Sequence, residues 1–528
     1  MQLFVLALIL GILAHDALGG SPSDAARLTG WALLGWVVLP KVAVAGSYHL
    51  LCRFTRRRLG TRRGHPMLNR LIFVTGIYRY ATLLLFGNDL RVGLLDATRQ
   101  FLGGDWVAVD ELIVIAPTLG MMFYSWFAYY PIDRAMREAS LIGRIDAGLP
   151  IHPIWTRGQY LLSQWRHQIA LMFVPLMLMV AWTELVMLVT THYAEAGLLR
   201  NVGATQAIMI MVGACCVFLF APVMIRWIWD TTPLPEGELR DRLLRMCRLH
   251  RVGVRELLLW RTFGGMINAA VMGLIAPLRY ILLSDGLLEM MTSKQVEAVM
   301  AHEIAHVRRG HMFWLVAAAM ALMMVLGEAW HHVATIVVEH YGLNEATALP
   351  LIGALLPEGQ AHEIIAAIGT VGCWILAFGW VSRRFERQAD TFAVQHLART
   401  GAARPAPAML RAHMIPTVGG LAVALGPDEP EEDAFDTDAA DAKVPTHIDA
   451  GSVQIMADAL DQVARLNHIG INRRSWRHGS IRWRQEYLSS LIGRRIDNLP
   501  IDRQIAAIKL LSAAALTLMG LAAWQGMM

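Results

Sequence analysis

Apolar residues in this chain fall in long unbroken runs separated by short polar segments. Nine runs, near 3–19, 28–52, 70–88, 109–131, 168–191, 203–228, 312–337, 361–381 and 505–525, reach or approach the length of a membrane span, which is about 20 apolar residues. The first is interrupted by His15 and Asp16. It reads as a span or as a signal peptide, although no basic residue precedes its apolar run. Between the later runs the pattern changes. "PEGELRDRLLRMCRLHRV" has helical periodicity with a charged face. "RELLLWRT" and "NAAVMGLIAPLRYILLSDGLLE" read as strands punctuated by Gly, Pro and Asp. "TSKQVEAVMAHEIAH" opens a helix, with Thr292 as N-cap and Gln295 as its capping-box partner. The prediction is a mainly α, polytopic membrane protein of about nine transmembrane helices, with an α+β part interleaved among the later spans.

Composition supports this. The 528 residues are 55% hydrophobic and 17% charged, with mean hydropathy +0.43, against roughly 25% charged in soluble proteins. The net charge of +5 is small, and the densest arginine cluster (Arg53, Arg56, Arg57, Arg58, Arg62, Arg63) abuts a span. Such a cluster fixes topology, so the expected partner is the lipid bilayer and not nucleic acid. The arginine bias places 53–69 and 132–167 in the cytoplasm. Counting crossings onward puts 229–311 and 382–504 there too, with the C-terminus outside. The five cysteines form no CxxC pair, which argues against a disulfide framework or a cysteine zinc site. Lys41 and Glu184 are the deepest charges within spans and suit helix–helix contacts or a polar pathway.

One short segment carries chemistry. In "VMAHEIAHVRRGH", His302 and His306 lie four residues apart on one helical face, so both imidazoles reach one metal ion. Glu303, beside the first, can take a proton from water activated by zinc without itself ligating. A catalytic zinc needs a third protein ligand and an open position. His311 follows Gly310 directly, in the wrong register for the extended H-E-x-x-H-x-x-G-x-x-H pattern, and is set aside. The better candidate is "SRRFERQADTFAVQHL", where Glu386 and Asp390 share a helical face. Glu386 can ligate, and Asp390 can hold the outer N–H of a ligand histidine. Two spans separate the blocks, which returns both to the same membrane face. Glu328, His331, His332, His362 and Glu363 cluster towards the opposite ends of those spans and read as interfacial polar residues.

Together "NAAVMGLIAPLRYILLSDGLLEMMTSKQVEAVMAHEIAHVRRGH" and "SRRFERQADTFA" resemble the integral-membrane zinc metallopeptidases of the HtpX and CAAX-prenyl-protease family. The resemblance covers residues 229–400; the first six spans carry no motif of it. It implies a zinc endopeptidase with one Zn2+ per chain held by His302, His306 and Glu386, with Glu303 catalytic and Asp390 supporting. "HGSIRWR" resembles the family's late H-P-[PST]-x-x-x-R element, with His478 and Arg484 in place and Gly479 replacing the proline. It implies that His478 helps stabilise the tetrahedral intermediate and that Arg484 serves substrate binding. Asn268 resembles a strand asparagine that faces substrate. The expected division is 1–228 membrane region, 229–311 first peptidase part, 312–381 transmembrane hairpin, 382–425 third-ligand helix and continuation, 426–447 acidic disordered loop, 448–500 last peptidase part and 501–528 final span. The expected location is the bacterial inner membrane with a cytoplasmic site. Expected substrates are peptides or membrane proteins, in quality control or, alternatively, CAAX-type processing; a protease-type sensor-transducer is a third reading, disfavoured by the short external loops. The oligomeric state stays open.

Overall fold

The computed structural model describes residues 2–17, 30–61, 64–104, 106–146, 151, 153–197, 201–263, 266–341, 361–401, 445–467, 469–497 and 499–525. Of the expected acidic loop 426–447, all but 445–447 lies outside the described residues, as does 402–425. The chain divides into two units, Met1–Asp230 and Thr231–Met528.

The described residues of the first unit form the helices α1 (Gln2–Ala17), α2 (Gly30–Arg58), α3 (Gly64–Arg91), α4 (Leu94–Leu102), α5 (Val109–Asp146), α6 (Arg157–Gln164), α7 (Leu171–Glu195) and α8 (Val202–Ile228). A π-helical stretch, Trp165–Ala170, joins α6 to α7. Its main core gathers Leu8, Leu95, Ile115, Met122 and Ile169. Among the described residues of the whole chain, eight helices are long and apolar enough to cross a membrane. This agrees with the expected count of about nine. The remaining apolar helix, α1, has 16 described residues and buries Val5 and Leu8 completely. Both deep charges have partners within the unit. Lys41 Nζ lies 2.5 Å from Asp89 Oδ2, and Glu184 Oε2 accepts the Ala108 N–H at 2.6 Å.

The second unit begins with β1 (Thr231–Pro233), α9 (Glu238–Leu249), β2 (Glu256–Trp260), β3 (Ala269–Met272), β4 (Tyr280–Ser284) and α10 (Asp285–Met290). The sheet order is β1-β2-β4-β3, with β2 and β4 parallel and the other pairs antiparallel. β3 is therefore an edge strand. The apolar stretch read from 268 to 289 thus breaks into two strands and a helix. Its "SDG" turn makes the break: Ser284 caps α10 by accepting from the Leu287 N–H, while Asp285 accepts from Thr262 and the Phe263 N–H.

The motif helix α11 (Ser293–Arg308) follows, then α12 (His311–Tyr341), α13 (Ala361–Thr400), α14 (Ala450–Leu466), α15 (Ile481–Ser489) and α16 (Pro500–Trp524). α13 has 40 residues, about 60 Å at 1.5 Å per residue. That is twice the roughly 30 Å of a bilayer's hydrocarbon core. Its apolar first half suits the membrane, and its second half, from Ser382, is buried among α11, α14 and the helices after it.

Candidate metal centre

α11 is fixed at its start by the expected capping box. Thr292 Oγ1 accepts the Gln295 N–H, and Gln295 Oε1 accepts the Thr292 N–H. Ala298, Ala301, Ile304 and Ala305 bury the helix against the core. The 3.6-residue turn then sets the Nε2 atoms of His302 and His306 3.3 Å apart. α13 brings Glu386 to them: Oε2 is 3.7 Å from His302 Nε2, and Oε1 is 3.9 Å from His306 Nε2. All three ligand atoms lie within 4.8 Å of one another. Donors around a tetrahedral zinc with bonds of about 2.0–2.1 Å sit roughly 3.3–3.5 Å apart. The donor set fits such an ion, since two imidazole nitrogens and a carboxylate converge on one point.

The outer atoms of these ligands are also engaged. His302 Nδ1 is 2.9 Å from Asp390 Oδ1, a close polar contact off the line of an ideal hydrogen bond. Asp390 is fully buried and held by Arg484, whose Nε and Nη2 reach its two oxygens at 2.7 and 2.5 Å. Arg484 Nη1 lies 3.9 Å from Glu386 Oε2. The expectation that Arg484 binds substrate is thereby corrected: its guanidinium is buried and committed to these two carboxylates. Burial holds His306 down to about 4, in the neutral form a metal needs. For His302 burial opposes the charged form, but Asp390 outweighs it and the pKa moves up.

Glu303 stands beside the ligands on α11 and accepts the Val271 N–H from the edge strand β3 at 3.1 Å. Burial pushes its carboxyl up to about 7, against the lowering effect of His302. Asn268 lies just before β3 and is exposed, with its backbone N–H on Ser284 Oγ and its carbonyl accepting the Ser284 N–H. His478 is exposed, and its Nδ1 lies 3.1 Å from Glu386 Oε1. Gly479 has φ +77°, a left-handed conformation closed to proline, so the departure from the family's H-P element is matched by a different backbone. On the remote cluster, His332 Nε2 pairs with Glu328 within one helix at 3.0 Å, while the side chains of His362 and Glu363 lie outside the described residues.

One more histidine borders the site. His311 is not among the converging ligands, yet its Nδ1 sits 3.1 Å from His306 Nδ1. Its spacing of five from His306 is the sequence signal for this contact.

The site thus defines a class: a multi-pass membrane protein with an H-E-x-x-H centre of metallopeptidase type. Residues 234–441 match Peptidase family M48, so this part of the chain is an M48 peptidase domain. A CAAX prenyl protease 1 homolog of Arabidopsis thaliana is 27% identical over 179 residues, 33% of this chain and 40% of that protein. A Protease HtpX homolog of Leptothrix cholodnii is 27% identical over 216 residues, 39% of this chain and 69% of that one. The similarity to the plant protein thus spans less than half of its length. The crystal structure of S. mikatae Ste24p aligns with 88% of this chain and 100% of its own, at a TM-score of 0.34 and 13% identity.

Proposed function

We propose that this protein is a zinc-dependent endopeptidase acting on peptide bonds at the cytoplasmic face of a bacterial inner membrane, with membrane-protein quality control as its role. The carrying observation is the convergence of His302, His306 and Glu386 with Glu303 beside them. These three residues would hold one Zn2+ per chain. Zinc bound there supplies Lewis acidity towards water and the peptide carbonyl. Glu303 takes the proton of the attacking water and passes it to the leaving amine. The outer edge of β3, where Glu303 holds the Val271 N–H, receives an extended substrate by strand addition, with Asn268 at its start. Glu386 is an acceptor, so His478 gives it the Nδ1 proton. His478 then has a second donor for the developing oxyanion, at Nε2, only as the imidazolium. Arg484 and Asp390 keep the ligands in place.

A second reading, CAAX-type trimming of lipidated peptides, is favoured by the name of the plant relative. Metal analysis tests the core of the proposal. His302→Ala, His306→Ala and Glu386→Ala should each lose zinc, because two protein ligands are too few. Retention of a full equivalent by these variants would refute the assigned ligands. Comparing membrane proteomes with and without Glu303→Gln separates the two substrate classes by which uncut proteins accumulate. Sidedness rests on the arginine-rich loops and the crossing count. A cysteine at Thr400 should resist an impermeant thiol reagent in intact cells, and one at Glu339 should react; the reverse pattern inverts the topology.

A further inference from the structure

We propose that Asp502, Gln388 and His311 form a hydrogen-bond relay that fixes the tautomer of His306 and aims its bare Nε2 at the metal position. The relay rests on the zinc reading above. It is not a set of catalytic residues; each member acts through the next as a positioning residue.

Its direction follows from one end. Asp502, in the first turn of α16, has Oδ1 2.6 Å from Gln388 Nε2. A carboxylate only accepts, so the amide must present its NH2 there. Arg309 Nη2 lies 3.8 Å from the same oxygen and supplies a countercharge. The amide orientation then points Gln388 Oε1 at His311 Nε2, 2.8 Å away. A carbonyl oxygen also only accepts, so His311 carries its proton on Nε2. The neutral ring is left with a lone pair on Nδ1. That lone pair faces His306 Nδ1 at 3.1 Å, so the proton of His306 sits on Nδ1 and its Nε2 is bare. Nε2 is the atom that converges with His302 and Glu386.

The opposite assignment fails at two points. A proton on His306 Nε2 would occupy the metal position. It would also force the His311 proton to Nδ1, leaving His311 Nε2 and Gln388 Oε1 as two acceptors face to face. Water has little access to relieve this, since His311 is 2% and Gln388 3% exposed. The His311 ring is held by stacking on Phe385 at 4.9 Å between centroids. Gly310, at φ +65°, makes the turn between α11 and α12 that brings His311 back to His306. The two ligand histidines are thus steadied differently, His302 by a carboxylate directly and His306 through a chain spanning three helices.

The test is zinc affinity of the purified full-length protein, measured by competition with a chelator, alongside thermal melting of the metal-stripped protein. His311→Phe keeps the stacking and removes the acceptor. It should weaken zinc binding about 10–100-fold, the usual effect of losing an outer partner of a ligand histidine, with the metal-free melt unchanged. His311→Asn returns an acceptor and should recover affinity to within about threefold of the wild type. Gln388→Met should weaken zinc binding less than His311→Phe, and it stands in as the deletion variant if His311→Phe does not fold. Wild-type affinity in the deletion variant overturns the relay, as does equal loss in His311→Phe and His311→Asn. If the wild-type protein itself takes up no zinc, the functional proposal falls first, and the relay falls with it.

Discussion

In the N-terminal unit, Lys41 meets Asp89 at 2.5 Å and Arg99 meets Asp110 at 2.6 Å, each cation on an acid. In the C-terminal unit, His302, His306 and Glu386 turn their ligating atoms towards one another, while their outer atoms are held by Asp390, Arg484, His311 and His478. Both units bury ionisable groups, so burial alone does not mark a functional site. What differs is closure. A pair such as Lys41 and Asp89 satisfies itself and joins α2 to α3. The converging set directs lone pairs at a common point and braces them from behind, which is how a protein prepares a place for a cation.

The sharpest break between the two kinds of charge lies at Glu303. It accepts the Val271 N–H and is proposed as the proton acceptor and not as a ligand, so its replacement by glutamine should leave zinc content and fold intact. Glu303→Gln should lower kcat/KM by about 10²–10⁴-fold, the range for a lost general base. Metal analysis and peptide turnover on one preparation check both halves. An active Glu303→Gln enzyme would place proton transfer elsewhere.

The counterpart in the first unit is Asp89. Asp89→Asn strands the Lys41 ammonium in a buried site and should destabilise that unit by about 3–5 kcal/mol, whereas Lys41→Met with Asp89→Leu should recover most of the loss. Denaturation in detergent reads the effect, and zinc content should not move. If Asp89→Asn strips zinc as His306→Ala does, the distinction between assembly charge and site charge is wrong.

How legible this was follows the range of the interactions. Spans are readable because twenty consecutive apolar residues are a local property. The His302–His306 pairing and the Thr292 cap lie within one helix, where period alone sets geometry. Glu386 and Asp390 became readable through their four-residue spacing and the two spans that return them. Arg484 and His311 were not readable in this way. Arg484 meets Asp390 across 94 residues, and Gln388 meets His311 across 77 and Asp502 across 114. Those contacts exist only once three or four helices have packed. The fold of 268–289 falls between: its apolarity was plain, but the capping at Ser284 and Asp285 that divides it was not.

His478 tests the edge of the site, where bracing and chemistry meet in one side chain. If its charged ring donates to the oxyanion, His478→Ala should lower kcat about 10²–10³-fold with KM and zinc nearly unchanged. If it only steadies Glu386, zinc affinity should fall instead, and kcat at saturating zinc should recover. The two outcomes assign His478 to one side of the comparison or the other.

The smallest effect concerns the residue after it. The loop at Ser475–Gly479 closes on itself, with the Gly479 N–H given to the Ser475 carbonyl at 3.0 Å and the return bond at 3.2 Å. Gly479 sits at φ +77°, and a Cβ there would come within 2.8 Å of the Trp483 ring. That ring cannot easily yield, because the Arg387 guanidinium stacks on it at 3.5 Å. Gly479→Ala should therefore destabilise this loop by about 1–2 kcal/mol, the cost of a side chain in the left-handed region. Gly479→Pro would restore the residue of the family's H-P element, and by resemblance alone it should help. By geometry it should harm more than alanine, since proline fixes φ near −65° and has no N–H to give Ser475. Limited proteolysis around 475–479, read beside kcat/KM, decides between them. A proline variant that resists cleavage and keeps wild-type turnover would mean that His478 works from the family's backbone and not from the one this loop adopts.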